Sequence, residues 1–167
     1  NLYSLKKTDV NIIALGHGLV GGALIKQILA KQESLLERKD LNVKIIAVAN
    51  STKLLLAPNG IKRNWLSEKQ VYGTQYSVQT LIDFVALHHF ANVIVVDNTA
   101  DDGIVNEYTT FVKAGFHLVS SNKKGNTQSL YFYNNLRQTL HVNNKKYLYE
   151  TNVGAGLPLI DTISLLH

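Results

Sequence analysis

At 167 residues, 46% hydrophobic and 17% charged, the chain is long enough to bury one core and has the composition of a globular domain. Cysteine is absent, which excludes disulfides, thiolate metal sites and cysteine nucleophiles and makes a reducing, cytoplasmic setting the expectation. The net charge of +5 comes from bases scattered singly or in pairs, such as Lys6-Lys7, Lys62-Arg63, Lys123-Lys124 and Lys145-Lys146, so no nucleic-acid surface is expected and the charge better suits a phosphate-bearing small molecule. Residues 1–9 carry no apolar signal core, and no later stretch approaches the roughly 18 apolar residues of a membrane span, so no membrane partner is expected.

Residues 1–9 are expected to be a linker or disordered start. Residues 10–15 (VNIIAL) form an apolar run that ends at glycines, and Val20, Leu24 and Ile28 follow at the spacing of a helix stripe. Residues 43–49 (VKIIAVA) are a second near-continuous apolar run, as expected of a parallel strand covered on both faces. The two strands and the helix between them make a right-handed βαβ unit. From Asn50 to Tyr76 the pattern loosens through Leu54-Leu55-Leu56, Pro58-Asn59-Gly60 and a polar stretch around Trp65, and no order of elements can be assigned. Ser77 is placed to cap a helix burying Val78, Leu81, Ile82 and Val85, which leads to a strand at 93–97 (VIVVD). Asp101 is placed to cap one helix with Ile104, Val105, Tyr108, Phe111 and Val112 on its inner side, ended by Gly115 before a strand at 117–120. Thr127 opens a further helix to about Leu140, and residues 146–150 (KYLYE) read as the next strand. This alternation predicts a Rossmann-type α/β domain over 10–157, a doubly wound, mostly parallel sheet in three layers. Pro158 heads an apolar helix that is still running at His167, so 158–167 is expected to begin a further domain of a longer natural chain.

Gly16-His17-Gly18-Leu19-Val20-Gly21 is G-x-G-x-x-G set between a strand and a helix. In that context Gly16 permits the turn, Gly18 lets a pyrophosphate approach the backbone, Gly21 lets helix and strand pack closely, and the helix N-terminus attracts the phosphate charge. NAD-specific domains of this type place a carboxylate at the end of the second strand to bind the ribose 2′-hydroxyl. Here that position reads Asn50-Ser51-Thr52-Lys53, with donors and no acid. NADP(H) is therefore expected over NAD(H), which stays open as the alternative, as does a reading of Lys53 as a solvated surface residue. Two more polar loops follow later strands, Asp97-Asn98-Thr99-Ala100 and Ser120-Ser121-Asn122-Lys123-Lys124. Thr99 is placed to bond ribose or phosphate and Lys123 to reach a carbonyl oxygen near the nicotinamide, while each also reads as an ordinary loop residue. Asn98, Ser120 and Ser121 receive no role from the sequence.

Taken together and in order, GHGLVG, VANSTKLLL, VVDNTADD, SSNKKGNT and YETNVGAGLPLI resemble the amino-terminal domain of homoserine dehydrogenases, most closely the form fused behind an aspartate kinase. The resemblance runs from Val10 to His167. It implies reversible NAD(P)-dependent reduction of L-aspartate 4-semialdehyde to L-homoserine, on the route to threonine and methionine, by a protein that is a homo-oligomer. It places Lys123, with Asn122, beside the nicotinamide and substrate as the catalytic residue. It sets Gly18, Leu19 and Val20 along the dinucleotide, Asn50 and Lys53 at the adenosine ribose, and Thr99 in the middle. It also implies that Glu150, Val153, Ala155 and Leu157 can hold a monovalent cation through hard oxygen ligands, against a reading of that loop as a plain connection between domains. The family's substrate carboxylates, its second lysine and its dimer-forming sheet have no counterpart in these residues, so the 167-residue chain is expected to bind cofactor and to turn over little substrate.

Two other readings stay open. Another NAD(P)-dependent dehydrogenase of a small amino-acid-derived carbonyl would share the same glycine loop, although a phosphorylating semialdehyde dehydrogenase would need a cysteine nucleophile. A non-catalytic nucleotide-binding domain is the second. The six histidines suggest no zinc site, because His88-His89 are adjacent, about 100° apart on a helix, and the others form no i, i+4 pair.

Overall fold

The computed structural model describes residues 7–122 and 130–149. Seven strands form one sheet in the order β4-β3-β2-β1-β5-β6-β7, with β1 (Thr8–Leu15), β2 (Leu41–Ala49), β3 (Lys53–Leu56), β4 (Thr74–Gln75), β5 (Val93–Asp97), β6 (His117–Ser120) and β7 (Tyr147–Tyr149). The five strands from β2 to β7 across β1 are parallel, and β3 and β4 run antiparallel at one edge. The doubly wound α/β expectation is thus met.

Strand order reverses at β1, whose neighbours are β2 on one side and β5 on the other. Register sets the ends of these strands level: Leu15 lies opposite both Ala49 and Asp97, and Asp97 lies opposite Ser120. The next residues, Gly16, Asn50, Asn98 and Ser121, therefore leave the sheet along one edge. In open α/β sheets ligands bind in the crevice at such a reversal.

Helix α1 (Leu19–Lys39) covers one face of the sheet through Gly21, Leu24, Ile25, Ile28 and Leu35, packing on Val10, Ile12, Val43 and Ile45. The expected stripe is right at Leu24 and Ile28. Val20 departs from it at 45% exposure, because the first turn of α1 overhangs the strand ends instead of lying on the sheet. The other face is covered by α3 (Val78–His88), α4 (Asp102–Val105), α5 (Tyr108–Lys113) and α6 (Leu130–Val142), over a second cluster that includes Ile13, Ile46, Val95, Tyr108 and Phe111. Two cores on opposite faces give the three layers.

The segment the sequence left unordered is a hairpin with a short helix inside it. Asn50 N–H donates to the Lys53 carbonyl at 3.0 Å, and the Asn50 side-chain oxygen accepts from the N–H groups of Thr52 and Lys53 at 3.1 and 2.7 Å. So tight a turn cannot accommodate a crossover, and β3 must return antiparallel beside β2. Helix α2 (Trp65–Tyr72) then leads to β4. Ser77 caps α3, accepting from Thr80 N–H, as expected. Asp101 caps as expected too, its carboxylate accepting from Gly103 N–H at 2.7 Å. The single helix expected after it is two, because Glu107 N–H turns back to the Ile104 carbonyl and tightens the chain between α4 and α5. All five expected inward residues are nevertheless buried. Thr127 lies outside the described residues, and α6 is described from Leu130.

Candidate dinucleotide site

The turn after β1 is cramped in two places and open in a third. Gly16 has φ +91°, and a Cβ there would stand 2.8 Å from the Asn98 carbonyl carbon. A Cβ on Gly21 would stand 2.1 Å from the Gly16 carbonyl oxygen. A Cβ on Gly18 would meet nothing within 4 Å. Gly16 and Gly21 are thus required by the protein's own packing, whereas Gly18 faces open space.

That room lies at the start of α1. Gly18 is the N-cap and offers no side-chain acceptor, and the first turn contains no acid, so the initial N–H groups of a 21-residue helix keep their capacity for an anion. Leu19, 92% exposed, and Val20 flank this turn. The surrounding cleft, of about 690 Å³, is lined by Gly16, His17 and Gly18, by Asn50 and Ser51 beyond β2, and by the run from Asn98 to Asp102 beyond β5. It thus joins three of the loops singled out in the sequence.

Its β2 side is cationic. The Lys53 ammonium donates to the Gln70 carbonyl at 3.0 Å, which ties it to α2. Lys69, on α2, is only 4% exposed, and among the described residues no acid pairs with it. Burial, and then the neighbouring Lys53 charge, lower its pKa. His17 stands edge-on to Trp65 with ring centroids 5.3 Å apart. Its pKa is lowered by burial and then by Lys69, and its Nε2 is buried without a hydrogen-bond partner. Lys69 has no local signature: Ser67-Glu68-Lys69-Gln70 belongs to the polar stretch around Trp65 in which no elements are assigned from the sequence.

The β5–β6 side is a closed polar network. Asp97, fully buried, accepts from Thr99 N–H at 2.8 Å and Thr99 Oγ–H at 2.6 Å on one oxygen, and from Tyr108 O–H and Asn122 Nδ2 (3.0 Å) on the other. Tyr108 and Ser120 hydroxyls lie 2.7 Å apart, and Asn122 N–H donates to Ser120 Oγ at 2.9 Å. Burial raises the Asp97 pKa, and the bonds from Thr99, Tyr108 and Asn122 oppose that rise. Asn98 and Ser121, uninterpreted in the sequence, bond each other at 2.7 Å and link the two loops. Asn122 and Thr99 are brought together at 3.2 Å. Lys123 and the loop containing Glu150, Val153, Ala155 and Leu157 lie outside the described residues. Among the described residues no helix is long and apolar enough to cross a membrane, and no group of His, Asp or Glu is arranged to hold a metal ion.

A family model for the NAD-binding domain of homoserine dehydrogenase matches residues 16–150. The chain belongs to that family. Its curated relatives include the bifunctional aspartokinase/homoserine dehydrogenases of Haemophilus influenzae, 39% identical, and Buchnera aphidicola, 38% identical, each match covering 99% of this chain and 20% of the relative. The chain thus spans about a fifth of the length of these homoserine dehydrogenase relatives. Among solved structures, homoserine dehydrogenase from Thermoplasma acidophilum superposes with a TM-score of 0.65 at 18% identity, over 86% of this chain and 44% of that one. A hyperthermophilic archaeal homoserine dehydrogenase in complex with NADPH superposes with a TM-score of 0.63 at 21% identity, with the same coverage. Both confirm the fold.

Proposed function

We propose that this chain is the NADP(H)-binding domain of a homoserine dehydrogenase whose natural full chain interconverts L-aspartate 4-semialdehyde and L-homoserine. The observation that carries the reading is the room above Gly18, between two glycines that packing requires, at an uncapped helix N-terminus. A pyrophosphate fits there in charge and space. The adenosine half lies toward Asn50, Ser51 and Lys53, and the nicotinamide half toward Thr99 and Asn122, following the two-halved logic of the fold.

When bound, the cofactor gives or takes the hydride. The protein's part is to orient it and to stabilise the charge that develops on the substrate oxygen. Asn122 is the residue immediately before Lys123, which we assign to that oxygen on the family resemblance. NADP(H) preference is supported by the absence of a carboxylate at 50–53 and by the cations Lys53 and Lys69 beside it. The monovalent cation at Glu150, Val153, Ala155 and Leu157, the homo-oligomer, the fusion behind an aspartate kinase and the cytoplasmic setting belong to the same proposal.

Titration with NADPH and NADH, read by nicotinamide fluorescence, tests it. Saturable binding, tighter for NADPH and abolished in Gly18→Asp, is the expected result. Equal or tighter binding of NADH contradicts the NADP preference, and binding unchanged in Gly18→Asp contradicts the site. Cofactor binding with no homoserine oxidation by the natural full chain would support a non-catalytic nucleotide domain instead.

A further inference from the structure

We propose that Asp97, Tyr108 and Ser120 are positioning residues for the nicotinamide end of the site, forming a buried hydrogen-bond chain with one proton order that fixes both the main chain and the side chain of Asn122. The proposal rests on the dinucleotide reading above and extends it to three residues that touch no part of the open cleft.

The proton order follows from donor and acceptor inventory. The main-chain N–H of Asn122 can only donate, so Ser120 Oγ accepts from it at 2.9 Å. At its other end the chain meets Asp97, where the Thr99 N–H and the Asn122 amide can only donate. The Thr99 hydroxyl already accepts from the Asn122 amide at 3.2 Å and from Asp101 N–H at 3.3 Å, so it too donates to Asp97, at 2.6 Å. Tyr108 completes the set by donating to the second carboxylate oxygen. Four hydrogen bonds therefore converge on the carboxylate and oppose the burial that raises its pKa, and the order described is that of the ionised form. With the Tyr108 proton committed to Asp97, the Ser120 proton must point at the Tyr108 oxygen, 2.7 Å away.

The consequence is geometric. Asp97 ends β5, Ser120 ends β6 and Tyr108 opens α5, so three rigid elements converge on one fully buried anion. Asn122 is held by its N–H through Ser120 and by its side-chain amide, whose two hydrogens are shared among Asp97, Thr99 and the Asp101 carbonyl at 3.2 Å. With both held, the chain immediately before Lys123 has one orientation, which is the condition for a reacting geometry to be ready before substrate arrives.

The test uses the natural full chain and two ligands. Adenosine 2′,5′-bisphosphate carries the adenosine half of NADPH without the nicotinamide. Tyr108→Phe keeps the ring and removes one donor to the carboxylate. We expect its affinity for NADPH to fall about tenfold, as for loss of a bond to a buried charge, and its affinity for the bisphosphate to stay within about twofold. Ser120→Ala, which removes the links to Asn122 N–H and to the Tyr108 oxygen but leaves every donor to Asp97 in place, is expected to show the same split more weakly and serves should Tyr108→Phe not fold. Equal losses for both ligands, or NADPH affinity and hydride-transfer rate unchanged in both variants, overturn the proposal. Wild-type protein that binds neither ligand overturns the dinucleotide reading and this proposal with it. Wild-type binding that no variant disturbs overturns the network alone.

Discussion

At the end of β2 positive charge is gathered with no acid bonded to it among the described residues; at the ends of β5 and β6 a negative charge is buried and hydrogen-bonded on every side. Lys53 reaches only a main-chain carbonyl, Lys69 is buried beside it, and His17 leaves a ring nitrogen unpartnered. Asp97, in contrast, receives four donors within 3.0 Å or less. The two regions border the same cleft, and the difference shows where each half's electrostatic work is done. The β5–β6 side is complete within the protein and confers geometry, whereas the β2 side keeps cations without an acid partner among the described residues, which the proposed reading pairs with a cofactor phosphate.

If this contrast is right, neutralising one charge on each side has opposite effects on stability. Asp97→Ala leaves the donors of Tyr108, Thr99 and Asn122 buried without their acceptor and is expected to lower the unfolding free energy by about 3 kcal/mol in urea titrations. A loss below about 1 kcal/mol would mean that the network is not saturated as described. Lys69→Met keeps the apolar stem and removes an ammonium that desolvation and the Lys53 charge disfavour, so stability is expected to hold or rise, while affinity for NADPH falls about tenfold and affinity for NADH changes less than about twofold. A parallel drop for both cofactors would assign Lys69 to packing.

The smallest effect separates acid sensitivity of the network from that of a buried histidine at the other end of β6. His117, 8% exposed, accepts from Lys146 N–H at 3.1 Å, and burial, with Lys145 and Lys146 adding to it, depresses its pKa to about 4 from 6.5. The unfolded chain then binds the proton more readily than the folded one, so stability is full above pH 6.5 and is lost as pH falls toward 4. Between pH 7 and pH 5 the wild type is expected to lose about 1 kcal/mol more than His117→Gln, a figure discounted for partial solvent screening. Identical pH slopes would move the acid sensitivity elsewhere.

Much of the fold was legible because periodicity is a local property. The runs at 10–15, 43–49, 93–97 and 117–120 became β1, β2, β5 and β6, and the caps at Ser77 and Asp101 stand where side chains of those types bond helix N–H groups. The antiparallel β3–β4 edge was not legible, since its turn is closed by the Asn50 side chain and carries no glycine. Val20 misled because hydrophobic spacing does not distinguish a residue that faces the sheet from one that overhangs a ligand cleft. In the site, the glycine loop announced itself by spacing. Asp97 and Lys69 could not, because an acid closing an apolar strand and a lysine between polar residues both read as solvated until tertiary packing buries them. Tyr108 was read as core, which it is, but its hydroxyl partners come from β5 and β6 and have no local signature.

A second concavity of about 530 Å³ lies between α1 and the segment before α2, lined by Gly22, Lys26, Leu29, Ala30, Arg63 and Trp65, and its Lys26 and Arg63 are also attractive to an anion. It shares no lining residue with the cleft at the strand ends, and discriminating between the two is the most direct test of the whole account. Amide chemical-shift mapping during NADPH titration is the measurement. The prediction is that saturating changes concentrate at Gly16 to Gly21, Asn50 to Lys53 and Thr99 to Asp101. Changes confined to Lys26, Leu29, Ala30 and Arg63, with the glycine loop silent, would contradict it.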